Sequence, residues 1–155
     1  MKNLSMLLII MIALGIPCKA QHPCDGSLMK YVYKPERFTI HEQCATVKGT
    51  IAYTPIKEAD GDYHLRLLLD PGQSQYLNAK NKSKSGHQHG CLVLEIICEN
   101  KITQADAIQP CANCPKNIKA PRVGDHVTVT GTWVTDNEGG HGWNEIHPVY
   151  SILKD

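Results

Sequence analysis

The chain lacks an excess of charge of either sign: 16 Lys and Arg stand against 15 Asp and Glu, a formal net charge of +1. It therefore has no broad field with which to capture nucleic acid or an anionic membrane non-specifically. It also lacks a run of roughly 20 apolar residues, the length a membrane-spanning helix requires. G-x-S-x-G, a phosphate-cradling glycine loop, H-E-x-x-H and a dinucleotide fingerprint are all missing. Lys80, Lys82 and Lys84 form the only basic cluster, and with few aromatics between them they read as a solvated loop rather than a nucleic-acid track. At 155 residues and 42% hydrophobic content, the chain fits one domain with a core and is too apolar for disorder.

What is present begins with a positive Lys2, an apolar run from Leu4 to Ile16, and Cys18-Lys19-Ala20 ending in a small residue. This pattern reads as a secretory signal over residues 1–20 cleaved after Ala20. Lipidation at Cys18 is the competing use of the same segment, against which Gly15-Ile16-Pro17 makes a poor lipobox. Cleavage removes Lys2 and Lys19, turning the slight excess of base into a slight excess of acid. The expected destination is the periplasm or the extracellular space, with a monomer carrying no transmembrane segment in its mature part.

Cysteine is the unusual entry in the composition, at 7 residues. Beyond the signal remain Cys24, Cys44, Cys91, Cys98, Cys111 and Cys114, an even set that in an oxidising compartment favours up to three disulfides. Cys111-Ala112-Asn113-Cys114 is a C-x-x-C, but it does not open a helix in a βαβ unit as a redox motif would. Residue 115 is Pro, where haem attachment needs His, and a zinc ribbon needs a second C-x-x-C. Structural bridges are expected instead, with Cys98 or Cys91 meeting Cys111 or Cys114, and Cys24 pinned near Cys44.

Residues 21–43 read as an extended arm, with a domain following over 44–155. From Cys44 the pattern has period two, Val47, Gly49, Ile51 and Tyr53 against Thr46, Lys48, Thr50 and Ala52, which is a half-buried strand. Asp60-Gly61 turns into a second strand, Tyr63, Leu65, Leu67 and Leu69 alternating with His64, Arg66, Leu68 and Asp70. Residues 73–90 are a long polar loop. Cys91 to Cys98 (CLVLEIIC) reads as a third, buried strand whose one charge is Glu95. Thr103-Gln104-Ala105-Asp106 has the form of a capping box and predicts a short helix before Pro110. His126 to Thr135 and Glu145 to Leu153 complete a fourth and fifth strand. The pattern T-V-x-G-T occurs at Thr46–Thr50 and again at Thr128–Thr132, and its mid-strand glycines suggest bulges or tight bends. The expected fold is all-β with one short helix, a disulfide-stabilised, five-stranded OB-fold-like Greek-key barrel.

The stretches Asp60-Gly61-Asp62-Tyr63-His64-Leu65, Leu77-Asn78-Ala79, Leu92 to Cys98, Thr103 to Ala107 and His141-Gly142-Trp143-Asn144-Glu145-Ile146-His147-Pro148-Val149 together resemble a family of exported microbial proteins. That family has no assigned activity, and its closing string is H-G-W-x-E-I-H-P-V. The resemblance covers roughly Cys44 to Ile152. It implies a small secreted OB-like barrel. Cys24, Cys91, Cys114 and His87-Gln88-His89 lie outside its pattern.

Strand alternation places Asp62, His64 and Arg66, then Glu95, then Glu145 and His147, opposite the apolar faces of strands two, three and five. Strand three lies between the other two in an OB-fold, so these groups share the face on which such barrels take ligands. His64, Glu95, Glu145 and His147 offer imidazole nitrogen and carboxylate oxygen to a divalent metal such as zinc. A hydrogen-bonded network closing the barrel is the competing reading. Strands three and five run parallel, so one shared site requires a register that brings His147 towards Glu95. His141 and Trp143 sit in the loop between strands four and five; the indole either stacks on a ligand or covers the barrel mouth. His87 and His89 read either as loose metal ligands or as solvated loop. The function expected is an exported binding or accessory module of unknown ligand through Asp62, His64, Glu95, His141, Trp143, Glu145 and His147. The alternative is a metal-dependent, phosphodiesterase-like hydrolase, and nucleic-acid binding is disfavoured by the charge.

Overall fold

The computed structural model describes residues 23–83 and 85–155. The signal segment, its cleavage after Ala20, Cys18 and Lys84 lie outside the described residues. Six strands form one sheet: β1 (Phe38–Ile51), β2 (Ile56–Lys57), β3 (Tyr63–Leu69), β4 (Leu92–Ile96), β5 (His126–Asp136) and β6 (Asn144–Lys154), with one four-residue helix, α1 (Ala79–Lys82). The order is β1-β5-β6-β4-β3-β2, and β1 also pairs β3, so the pairings that leave β1 through β5 return to it through β3. All pairs are antiparallel except β4–β6. Among the described residues no helix is long and apolar enough to cross a membrane.

The alternating apolar residues form the main core: Val47 and Ile51 of β1, Leu65 and Leu67 of β3, Leu92 and Leu94 of β4, Val127 and Val129 of β5, and Ile146 and Val149 of β6. Burying such side chains is worth about 1.5–3 kcal/mol each. The two echoed glycines stand where backbones crowd. Gly49 pairs both Leu69 and Val127, and a Cβ there would strike the Leu68 carbonyl; Gly131 lies at a register shift between β5 and β6, against the Pro148 carbonyl. Tyr53, expected to continue the β1 apolar face, lies beyond the end of that strand and is exposed.

The expected helix at 103–108 is corrected. Only a 3-10 turn forms, over Ala105–Ala107, because the Thr103 hydroxyl donates to the Ala59 carbonyl instead of capping. The α-helix lies instead in the polar loop before β4, where Asn78 caps the backbone N–H groups of Lys80 and Asn81. Asn81, fully buried, bonds the Cys91 carbonyl and both the N–H and the carbonyl of Asn144, while Asn78 Nδ2 donates to the Gly142 carbonyl. A loop that looks solvated is thereby bolted to β4 and to the β5–β6 turn.

Two disulfides form, Cys24–Cys44 and Cys98–Cys111, and Cys91 and Cys114 are free and buried, so a third bridge is absent among the described residues. The first ties the segment ahead of β1 to the sheet. Two 3-10 turns in that segment, Met29–Tyr31 and Pro35–Arg37, help set Leu28 and Val32 into a second, smaller core with Ile97, Cys98 and Tyr150. They also deliver Arg37 and Phe38 to the polar face of the sheet.

Candidate functional site

The register builds a polar row across three strands. His64 pairs Glu95 and Arg66 pairs Val93 between β3 and β4, and Val93 in turn lies beside Glu145 on β6. Carried two residues further, that parallel register points His147 toward Glu95, whose charge it feels. This face is covered rather than open: Glu95, Glu145 and His147 are each at most 4% exposed. A cleft of about 200 Å³ remains, lined among others by Glu58, His64, Arg66, Gln88, Glu95 and Trp143.

At the cleft, His64 Nδ1 lies 2.7 Å from Glu95 Oε1 and 3.4 Å from Glu58 Oε1. One ligand atom from each of the three falls within 4.8 Å of the others. The second oxygen of Glu95 is buried without a partner. On its far side His64 Nε2 lies 3.1 Å from Gln88 Oε1, which also accepts from Arg66 Nε at 3.0 Å. Arginine only donates, so the amide oxygen must face it, and His64 Nε2 must then be the donor to the same oxygen. A neutral His64 thereby presents the lone pair of Nδ1 to the carboxyl groups of Glu95 and Glu58. Burial pulls the His64 imidazole below its ordinary value, against the raising influence of Glu58 and the Gln88 hydrogen bond, with Arg66 adding to burial. Burial, then Glu58 and Glu145, push the Glu95 carboxyl well up. Both partners therefore favour their neutral forms.

Beside this group lies a second one. His147 Nδ1 is 2.9 Å from Glu145 Oε1, and its Nε2 is 3.6 Å from Asp62 Oδ2. Burial pulls His147 down, but the Glu145 hydrogen bond and the charges of Glu145, Asp62 and Glu95 outweigh it, leaving the imidazole raised. Asp62, which accepts from the Cys98 N–H at 2.7 Å, is pushed up by burial to about 7. Asp62 also lies near Cys98 and Cys111, but those sulfurs are bonded to each other and cannot ligate.

The cleft wall comes from the β5–β6 turn. Trp143 donates through Nε1 to Glu145 Oε2 at 3.0 Å, His141 stacks on it at 4.2 Å, and His141 Nδ1 is 2.7 Å from buried Asp136. Asp136 in turn faces Arg37 at 3.6 Å. The turn needs Gly139, Gly140 and Gly142 at positive φ, which side chains disfavour.

Of the residues singled out from sequence, the structure thus joins His64 to Glu95, and Glu145 to His147 and Asp62, with His141 and Trp143 closing the side. Glu58 and Gln88 were missed. Glu58 sits in the turn region between Pro55 and Gly61, which carries no periodicity. Gln88 is 2% exposed in a loop where only its neighbours His87 and His89 drew notice, and both of those are exposed. Comparison of the chain with protein-family models, with curated proteins and with solved structures finds no match.

Proposed function

We propose that this protein is an exported, OB-like β-barrel binding module whose ligand site is centred on a divalent cation held by Glu58, His64 and Glu95. The returning strand pairings and the parallel β4–β6 pair support the barrel reading, as two disulfides support an oxidising destination. The observation that carries the cation is the meeting of three acceptor atoms within 4.8 Å, beside a buried Glu95 oxygen that has no donor. Acceptors do not hold one another; a proton or a metal must stand between them. Ligand atoms bound tetrahedrally to one zinc at about 2.0–2.2 Å sit about 3.3–3.6 Å apart. The 3.4 Å gap between His64 and Glu58 fits that spacing, and the 2.7 Å gap to Glu95 must open slightly. One imidazole and two carboxylates suit Zn²⁺ or Mn²⁺.

The test is calorimetric titration of Zn²⁺ and Mn²⁺ into chelator-stripped protein. One ion per chain should bind, and Glu58→Gln, His64→Gln and Glu95→Gln should each weaken it at least tenfold while His147→Gln does not. Equal binding by all four variants overturns the assignment. A hydrolytic use of the same ion is favoured by one observation, the cleft beside the three ligands, which leaves room for a metal-bound water. Chelator-sensitive cleavage of a phosphodiester would establish it.

A further inference from the structure

Arg66 follows His64 by two residues on β3, so both side chains leave one face of the strand. Both line the cleft. The Arg66 Nε is held by Gln88 at 3.0 Å and its guanidinium lies 5.9 Å from the Tyr53 ring centroid. Its two terminal nitrogens have neither a hydrogen-bond partner nor a carboxylate within ion-pair distance among the described residues, although Glu58, Glu95, Asp136 and Glu145 all line the same cleft. Arg37, the other arginine there, is turned to carboxylates: Nη1 donates to Glu138 at 2.9 Å, and Nε, without a hydrogen bond, lies within ion-pair distance of Asp136 at 3.6 Å. An arginine fixed through Nε with its terminal fork open is arranged to receive two oxygens of one oxyanion.

Resting on the cation site above, we infer that the cleft takes a small oxyanion-bearing ligand, a phosphate or a carboxylate, with one oxygen on the cation and others on the terminal nitrogens of Arg66. Three protein ligands leave a tetrahedral ion one position for such an oxygen. The bridge through Gln88 Oε1 places Arg66 one shared acceptor away from His64. Trp143 stands across the cleft, its ring centroid 6.4 Å from that of His64. At about 200 Å³ the space admits a phosphate group or a short acid. Without the cation, the surrounding carboxylates oppose an anion, so capture should depend on the metal; by linkage, the anion must tighten the metal by the same factor.

The experiment titrates inorganic phosphate and acetate into chelator-stripped protein, into protein loaded to one Zn²⁺ per chain, and into zinc-loaded Arg66→Gln and Arg66→Lys. Binding of either anion to the zinc-loaded protein, weakened at least tenfold in both variants and absent without zinc, supports the inference. The tighter of the two anions identifies the ligand group. Anion binding to the zinc-loaded protein that both variants retain, or no anion binding to it at all, overturns the inference and leaves the cation site standing. Failure of the unaltered protein to load zinc or manganese overturns both.

Discussion

Two buried imidazoles flank β4, and they are opposite in character. His64 on β3 and His147 on β6 each lie within 3 Å of a glutamate oxygen and are 5% and 1% exposed. Desolvation is the largest influence on both and favours the neutral ring. At His147 the Glu145 hydrogen bond and the surrounding acidic groups outweigh burial and leave the ring raised; at His64 burial, joined by Arg66, prevails over Glu58 and Gln88 and leaves the ring lowered. The lesson is that a His–Glu contact has no fixed meaning. His147, raised beside Glu145 and Asp62, is biased toward its charged form, while His64, lowered, is biased toward the neutral form that ligates a metal.

The largest effect that tests this difference is on stability. His147→Leu leaves Glu145 and Asp62 buried without a cation, a loss of about 3–5 kcal/mol. His64→Leu leaves Glu95, which already favours its protonated form, and should lose about 1–3 kcal/mol. Urea unfolding of the two variants side by side measures the gap. Equal losses would mean that both histidines are structural ion pairs and would remove the distinction.

The sheet was legible because period-two alternation survives local detail: Leu65, Leu67, Leu92, Leu94, Val127 and Val129 all enter the core as their spacing expects. The same alternation put His64, Glu95, Glu145 and His147 on one face. It could not divide them into two groups, since that depends on cross-strand register and on what covers the face. The cover was hidden in irregular chain. Gln88 is turned inward between His87 and His89, both at positive φ (59° and 53°), and no composition signal marks such a pair. Thr103 has the form of a cap but gives its hydroxyl to Ala59, a contact made across the fold.

A middle-sized effect concerns that hidden glutamine. Gln88→Leu removes the oxygen that receives both Arg66 Nε and His64 Nε2, so the imidazole is free to rotate or change tautomer with no second partner to prevent it. Losing such a supporting contact typically costs 10–100-fold in metal affinity. Zinc calorimetry should show a loss in that range for Gln88→Leu. Unchanged zinc affinity in Gln88→Leu would mean that His64 needs no orienting partner, which weakens its contrast with His147.

The smallest effect comes from a third histidine that serves as a surface reference. His126 opens β5 and lies between Asp70, 3.0 Å from Nε2, and Asp155, 2.7 Å from Nδ1. Here solvent replaces burial, and the hydrogen bonds to Asp70 and then Asp155 raise the imidazole above its ordinary value. A raised folded-state pKa means that the stabilisation is complete below about pH 6.5, the unfolded value, and is lost as pH rises through the folded one. Because the three side chains are exposed, salt should screen the effect. Proton NMR should therefore follow His126 titrating above 6.5 and drifting back toward it as ionic strength rises, whereas the buried and raised His147 should hold its value across the same salt series. If His147 drifted equally, its carboxylates would be reached by solvent, and its imidazolium would be no more a buried counter-ion than His126 is.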